Sequence, residues 1–196
     1  MRRVINEGAP RPRAELLEGF QSLLERYSPS CIVSDVMERA QTMHSSLIPV
    51  SRGRFAGPAL TVKLYPGDLV DCLDALRVAQ SGDVIVVDGA VRDVDEVRDL
   101  GFPLVSRAIV PRSTHSPYSK RLEPIEINVP IVCGGAIVNP GDIVLADEIG
   151  VVAVPQEEAA GVLERALAQA DLEEATRQRI SAGKNVDELL DEFGRL

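Results

Sequence analysis

Arg92 and Asp93 stand side by side in the run GDVIVVDGAVRDVDEVRDLG, with Asp88, Asp95 and Glu96 close by. A carboxylate-rich turn of this kind is the all-oxygen setting that a hard cation such as Mg²⁺ prefers. The ion takes one or two carboxylates and fills its octahedron with water and substrate oxygens. The neighbouring guanidinium offers a fixed fork of donors for a carboxylate or an enolate oxygen. Metal and arginine together suit chemistry that develops negative charge on a carbonyl oxygen, as in enolate formation. A second reading stays open at this point: the same charges form a solvated network at a helix start, with Asp93 as its cap.

The elements around these residues place them at a strand end. Val84–Val87 is a continuous β-branched run, which predicts a central strand buried on both faces. Asp88-Gly89 marks a turn at its carboxyl end. Val94, Val97 and Leu100 follow at helical spacing up to Gly101, and Phe102–Val110 reads as a returning strand. An Arg-Asp pair just past the carboxyl end of a buried strand is where α/β sheets place ligands.

Upstream, residues 1–13 with Pro10 and Pro12 read as a flexible or loosely docked lead-in. Leu16, Leu17, Phe20, Leu23 and Leu24 predict an amphipathic helix over Ala14–Tyr27, broken at Ser28-Pro29-Ser30, with a short helix over Asp35–Ala40. Ile48–Val50 and Gly57–Leu64 read as strands, the second half-buried, and Leu69–Gln80 as a helix with Leu69, Leu73, Leu76 and Val78 inward. Downstream, Ile125–Val129, Ile131–Cys133, Ala136–Val138, Ile143–Ala146 and Val151–Val154 form a dense series of short strands between Gly/Pro turns. Glu157–Ala182 reads as a long helix with Ala160, Val162, Leu163, Ala166 and Leu167 on its apolar side. Asn185–Leu196 is a final short amphipathic helix. The expectation is a single α/β domain over residues 1–196, with a mixed sheet, a β-rich second half and C-terminal helices over 157–196.

Composition narrows the function classes. The chain has 196 residues, a net charge of −9, 4% aromatics and no Trp, so its core must be Val, Ile, Leu and Ala. A nucleic-acid binder shows a basic face, and none is visible, which argues against direct nucleic-acid contact. No apolar run approaches the roughly 18 residues needed to span a bilayer, and Asn6–Pro10 replaces the apolar core of a signal peptide; the expectation is a cytoplasmic protein without membrane contact. Cys31, Cys72 and Cys133 have no ligand spacing and read as free thiols. His44 and His115 lack partners at a zinc spacing. Asp147-Glu148 before Gly150 reads as a tight turn. There is no Gly-rich nucleotide fingerprint and no Walker loop.

The stretch Gly89–Pro103, followed by Pro111-Arg112, resembles the RraA-like superfamily, which holds the class II 4-hydroxy-4-methyl-2-oxoglutarate/4-carboxy-4-hydroxy-2-oxoadipate aldolases and the regulators of ribonuclease E activity. The resemblance extends over most of the chain. It takes in Ser34-Asp35, Gly57–Val62, Tyr65–Asp68, Gly82–Asp88, Ile127–Ile131, Cys133–Gly135, Val138–Asp142, Ala146-Asp147, Gly150-Val151, Arg179-Ile180 and Gly183-Lys184. It implies a layered α/β/β/α fold of the swivelling-domain type. It also implies a divalent metal cofactor (Mg²⁺ or Mn²⁺), a small keto-acid substrate, and a homotrimer or hexamer with sites at subunit interfaces.

The family signature is a Gly, a long spacer, then R-D-x-x-E/D, and Arg92, Asp93 and Glu96 match its second half. Carried over, Arg92 contacts the keto acid's carbonyl oxygen and stabilises the pyruvate enolate, and Asp93 holds the metal. Asp88 and Glu96 are further acidic candidates, as are Glu173 and Glu174 toward a neighbouring subunit. Asp71 stands where the signature places its Gly. GDVIVVD also runs straight into GAVRD, where the family has a strand, a Gly-rich loop that holds the pyruvate carboxylate, and a helix. The resemblance implies a metal-dependent pyruvate aldolase, with oxaloacetate decarboxylation as a side reaction. The alternative is a non-catalytic RraA-type regulator that binds a ribonuclease or helicase. A related lyase or hydratase with a pocket rebuilt by Arg112–Tyr118 is a third possibility.

Overall fold

The computed structural model describes residues 3–50, 53–63, 72–87, 94–100, 103–109, 111 and 125–193. Its organising element is β3 (Phe55–Lys63), whose residues 56–62 are all buried. The expected half-buried alternation is replaced by burial on both faces, because Ala59 and Thr61 lie under a second layer. Thr61 is tolerated there because its hydroxyl donates to the Val129 carbonyl at 2.6 Å.

Strands gather on both edges of β3. The strand β4 (Val84–Val87) runs parallel to it, from Ala59 opposite Val84 to Val62 opposite Val87. The strands β9 (Ile143–Ala146) and β6 (Ile125–Ile127) pair with it antiparallel at its two ends. Outside them lie β10 (Val151–Val154), antiparallel to β9, and β1 (Arg3–Ile5), parallel to β6. The sheet is therefore mixed, as expected. Among the described residues β4 is an edge strand and half-buried, not central, since β3 is its one partner. Two small antiparallel units flank the sheet: the β2 (Ile48–Pro49) and β5 (Val105–Ser106) ribbon and the β7 (Ile131–Cys133) and β8 (Ala136–Val138) hairpin. Of the strand expected over Phe102–Val110, the pairing keeps Val105–Ser106.

Period-two alternation then sorts side chains into layers. Ile143, Leu145, Val152 and Val154 face α1 (Ala14–Leu23), α2 (Pro29–Val36) and α5 (Ala159–Ser181), where Phe20, Leu23, Ile32, Val33, Val162 and Ala166 are buried. Val144, Ala146, Val151 and Ala153 point the other way, against Met43 and the β7–β8 hairpin. On the helical side, α3 (Cys72–Val78) covers Leu60, Val62 and Ile127 with Ala75. Each fully buried aliphatic side chain contributes about 1.5–3 kcal/mol by area, as an upper figure. Leu76, expected inward, is 56% exposed, because Ala75 occupies the inward position of that turn. Ala160 likewise faces out, and Ala159, Val162, Ala166 and Ala170 form the seam of α5.

Two local departures have clear causes. The helix after Ser28 begins at Pro29 and ends at Val36, ahead of the expected Asp35–Ala40. Proline suits a first helical position because its missing N–H has no partner there in any case. Beyond it Glu38, Arg39 and Gln41 adopt φ of 54, 67 and 56°, held by bonds from Arg39 N–H to Ser34 and from Ala153 N–H to Gln41. Residues 3–13 are docked along the sheet through β1 and side-chain bonds. The last helix, α6 (Val186–Phe193), is capped by Asn185, whose Oδ1 accepts the Glu188 N–H at 2.9 Å.

Candidate active site

The Arg-Asp pair belongs to a connection whose two ends are fixed. β4 ends at Val87, and α4 (Val94–Asp99) begins seven residues later in sequence, with Glu96 in its first turn. Arg92, Asp93 and Asp88 lie outside the described residues, as does His115.

The groups that brace this connection are visible. On the β4 side, the buried Cys133 thiol sits 3.9 Å from the Val87 carbonyl and packs in the same cluster as Val86. On the helix side, Arg98 Nε donates to the Val50 carbonyl at 3.0 Å and its guanidinium lies 3.8 Å from Asp95. Val50 N–H in turn donates to the Leu104 carbonyl at 2.8 Å, beside the β2–β5 ribbon. The strand end is thus held by the β7–β8 hairpin, and the helix by the segment beside the β2–β5 ribbon. Cys133 and Arg98 hold the described ends of this connection, a role that sequence reasoning missed. Cys133 carried one usable signal, its place in a Cys-Gly-Gly turn.

The remaining candidates are occupied locally. Glu173 accepts from Gln169 Nε2 at 2.8 Å and lies 3.7 Å from Arg177. Glu174 accepts from Gln178 at 3.1 Å and Arg177 at 3.2 Å, which holds its carboxyl below the ordinary value. Both sit on α5, on the layer that packs against β9 and β10. His44 Nδ1 accepts the Ser46 N–H at 3.1 Å. Among the described residues, no three His, Cys, Asp or Glu gather into a metal-holding group. No described helix is long and apolar enough to cross a membrane.

The acidic turn at Asp147 is structural. Its carboxylate is 1% exposed and accepts four bonds: from Ser30 N–H (2.9 Å), Ser30 Oγ (2.7 Å), Ile149 N–H (2.8 Å) and Gly150 N–H (3.1 Å). It closes the β9–β10 turn and caps the start of α2 from another element. Next to it, Glu148 pairs with Arg54 Nε at 2.9 Å and Nη2 at 2.5 Å.

Comparison with known proteins decides what this connection belongs to. A family model described as Aldolase/RraA, RraA-like, matches residues 30–89 and 85–153. The chain belongs to the RraA-like family. A relative from Halalkalibacterium halodurans, named "Putative 4-hydroxy-4-methyl-2-oxoglutarate aldolase", is 30% identical over 186 positions, covering 80% of this chain and 86% of its own. Among solved structures, RraAS2 of Streptomyces coelicolor superposes with a TM-score of 0.68 at 27% identity, over 86% of this chain and 98% of its own. RraAS2 is described as an unusual member of the RNase ES inhibitor RraA protein family. A Pseudomonas syringae protein superposes with a TM-score of 0.73 at 23% identity, over 92% and 99%, and shares the fold.

The RraA-like matches also bear on the joint before the Arg-Asp pair. The two stretches matched by the family model overlap at residues 85–89, where β4 ends. The alignment with the Halalkalibacterium relative spans 186 positions yet takes in 80% of 196 residues, so that relative has positions with no counterpart here.

Proposed function

We propose that this chain is a divalent-metal-dependent pyruvate aldolase of the 4-hydroxy-4-methyl-2-oxoglutarate aldolase type, with oxaloacetate decarboxylation as a second activity. The observation that carries the reading is the R-D-x-x-E run between β4 and α4 in a chain of this family. The relative's name supports the substrate class.

The donor set around the connection, Asp88, Asp93 and Glu96, is made of hard carboxylate oxygens and fits Mg²⁺ or Mn²⁺. When bound, the ion supplies Lewis-acid polarisation of the keto acid's oxygens. Asp93 is the residue that holds it. Arg92 donates to the carbonyl oxygen of the substrate and stabilises the negative charge that forms there as the carbon–carbon bond breaks. Glu173 and Glu174 are candidates to complete a neighbouring subunit's site. The reading also carries a homotrimer or hexamer and a cytoplasmic location.

Purified protein given 4-hydroxy-4-methyl-2-oxoglutarate or oxaloacetate should release pyruvate only with Mg²⁺ or Mn²⁺. Arg92→Ala and Asp93→Ala should each lower the rate at least about a hundredfold. Silence with every keto acid tried would end the aldolase reading. The RraAS2 likeness supports the ribonuclease side of a second one, a regulator that binds a ribonuclease or, as the resemblance implies, a helicase. Capture of such a partner by a protein that turns over no keto acid would favour it. The overlapping family matches are consistent with loss of the strand–loop–helix unit that holds the pyruvate carboxylate, so KM for pyruvate-forming substrates is the parameter to watch.

A further inference from the structure

The apolar pattern of β4 specifies its register only weakly. Val84 and Val86 pack into one cluster and Ile85 and Val87 into another on the opposite face. In a strand that is apolar at every position, a one-residue slip turns each side chain to the other face yet still presents apolar groups to both clusters, so the pattern specifies register weakly. β3 is its one strand neighbour among the described residues. The start of β4 must therefore be held by something other than its apolar pattern.

Two contacts do this. The turn before β4 lies flat on β3: a Cβ on Gly57 would sit 2.0 Å from the Gly82 carbonyl oxygen. The second contact comes from the N-terminal strap. Asn6 donates its backbone and side-chain N–H groups to the Ile127 carbonyl at 3.2 and 3.1 Å, and Asn128 Nδ2 donates back to the Asn6 carbonyl at 3.1 Å. The Pro10 carbonyl accepts from Gln156 Nε2 at 2.7 Å. One residue later Arg11 Nη1 pairs with Asp83, and its Nη2 donates to the Ser81 carbonyl at 2.8 Å. The other oxygen of Asp83 accepts the Gln80 N–H at 2.7 Å. One carboxylate thus ties the strap to the turn that launches β4.

We propose that Arg11 is a positioning residue. It fixes the 81–83 turn, and with it the register of β4, the strand that precedes the R-D-x-x-E run in sequence. The link to the site rests on the functional reading above; the link to β4 does not.

The test uses the full chain with Arg11→Ala, Arg11→Lys and Asp83→Asn, read by amide hydrogen exchange and by electron paramagnetic resonance titration of Mn²⁺. Arg11→Ala and Asp83→Asn should speed exchange at the β4 amides about fivefold, leaving β9 and β10 unchanged. They should weaken Mn²⁺ binding by a similar factor, and Arg11→Lys, whose ammonium can still reach Asp83, should restore most of both. Unchanged exchange in β4 overturns the proposal. Faster exchange with unchanged Mn²⁺ affinity overturns the link to the site. Absence of Mn²⁺ binding in the wild type overturns the functional reading instead, while exchange still decides whether Arg11 fixes β4.

Discussion

Asp147 shows how far a residue's role depends on its surroundings. Its carboxylate is buried, and four donors satisfy it without a cation. Removing it leaves the buried Ser30 N–H and hydroxyl unpaired and loosens the half-buried Ile149 and Gly150 N–H groups, so Asp147→Ala should cost about 3 kcal/mol in urea denaturation. Asp147→Asn should recover much of this, because an amide oxygen in the Oδ1 position still accepts from Ser30 Oγ, Ile149 N–H and Gly150 N–H, and its NH2 faces only the Ser30 N–H. Gly57 makes a steric prediction. Gly57→Ala must push the Gly82 carbonyl off β3 and should cost about 2 kcal/mol, read the same way. Asp142 titrates against the usual trend. Burial raises its carboxyl above the ordinary value, although the Asn139 and Gln156 N–H groups oppose the shift. The folded chain therefore holds this proton more tightly than the unfolded chain does. Its contribution is full below the unfolded value and is lost as pH rises through the folded one.

At the scale of elements, Arg54 joins three pieces of chain. Nη1 donates to the Leu24 and Arg26 carbonyls, at 2.8 and 2.7 Å, just past the end of α1. Nε and Nη2 form a two-pronged pair with Glu148 at the β9–β10 turn. Lysine cannot span both groups. Arg54→Lys should cost about 1 kcal/mol and speed amide exchange at the end of α1, with α5 unaffected. The same contact sets an acid limb. Arg54 hydrogen-bonds charged Glu148 and lowers its carboxyl below the ordinary value. The unfolded chain takes up that proton at higher pH, so the contribution is full above the unfolded value and is lost as pH falls through the folded one. In Glu148→Gln, the part of the acid-induced fall in urea midpoint that Glu148 contributes should disappear.

For the whole molecule, light scattering should give the mass of a homotrimer or hexamer if sites form at subunit interfaces, as the family resemblance implies. A monomer that still releases pyruvate would place every catalytic group on one chain. Dilution to the monomer with matching loss of turnover would favour Glu173 or Glu174 acting across an interface, and Glu173→Gln and Glu174→Gln would then tell them apart.

The sequence by itself determined the late strands, from Ile131–Cys133 to Val151–Val154, because short apolar runs between Gly/Pro turns leave little freedom in where pairing starts and stops. It also determined the long C-terminal helix and the family, whose motif is a run of adjacent residues. Tertiary structure decided the rest. Val84–Val87 reads as a central strand because it is apolar throughout, but whether a neighbour lies on each edge depends on what else the chain supplies. Ser30 and Asp147 are 117 residues apart and meet only because α2 packs on the β9–β10 turn. Arg11 reads as one charge in a Pro-rich lead-in, and only the path of the strap across the sheet brings it to Asp83. Local spacing carries period and motif; contacts between distant segments depend on the packing that brings them together.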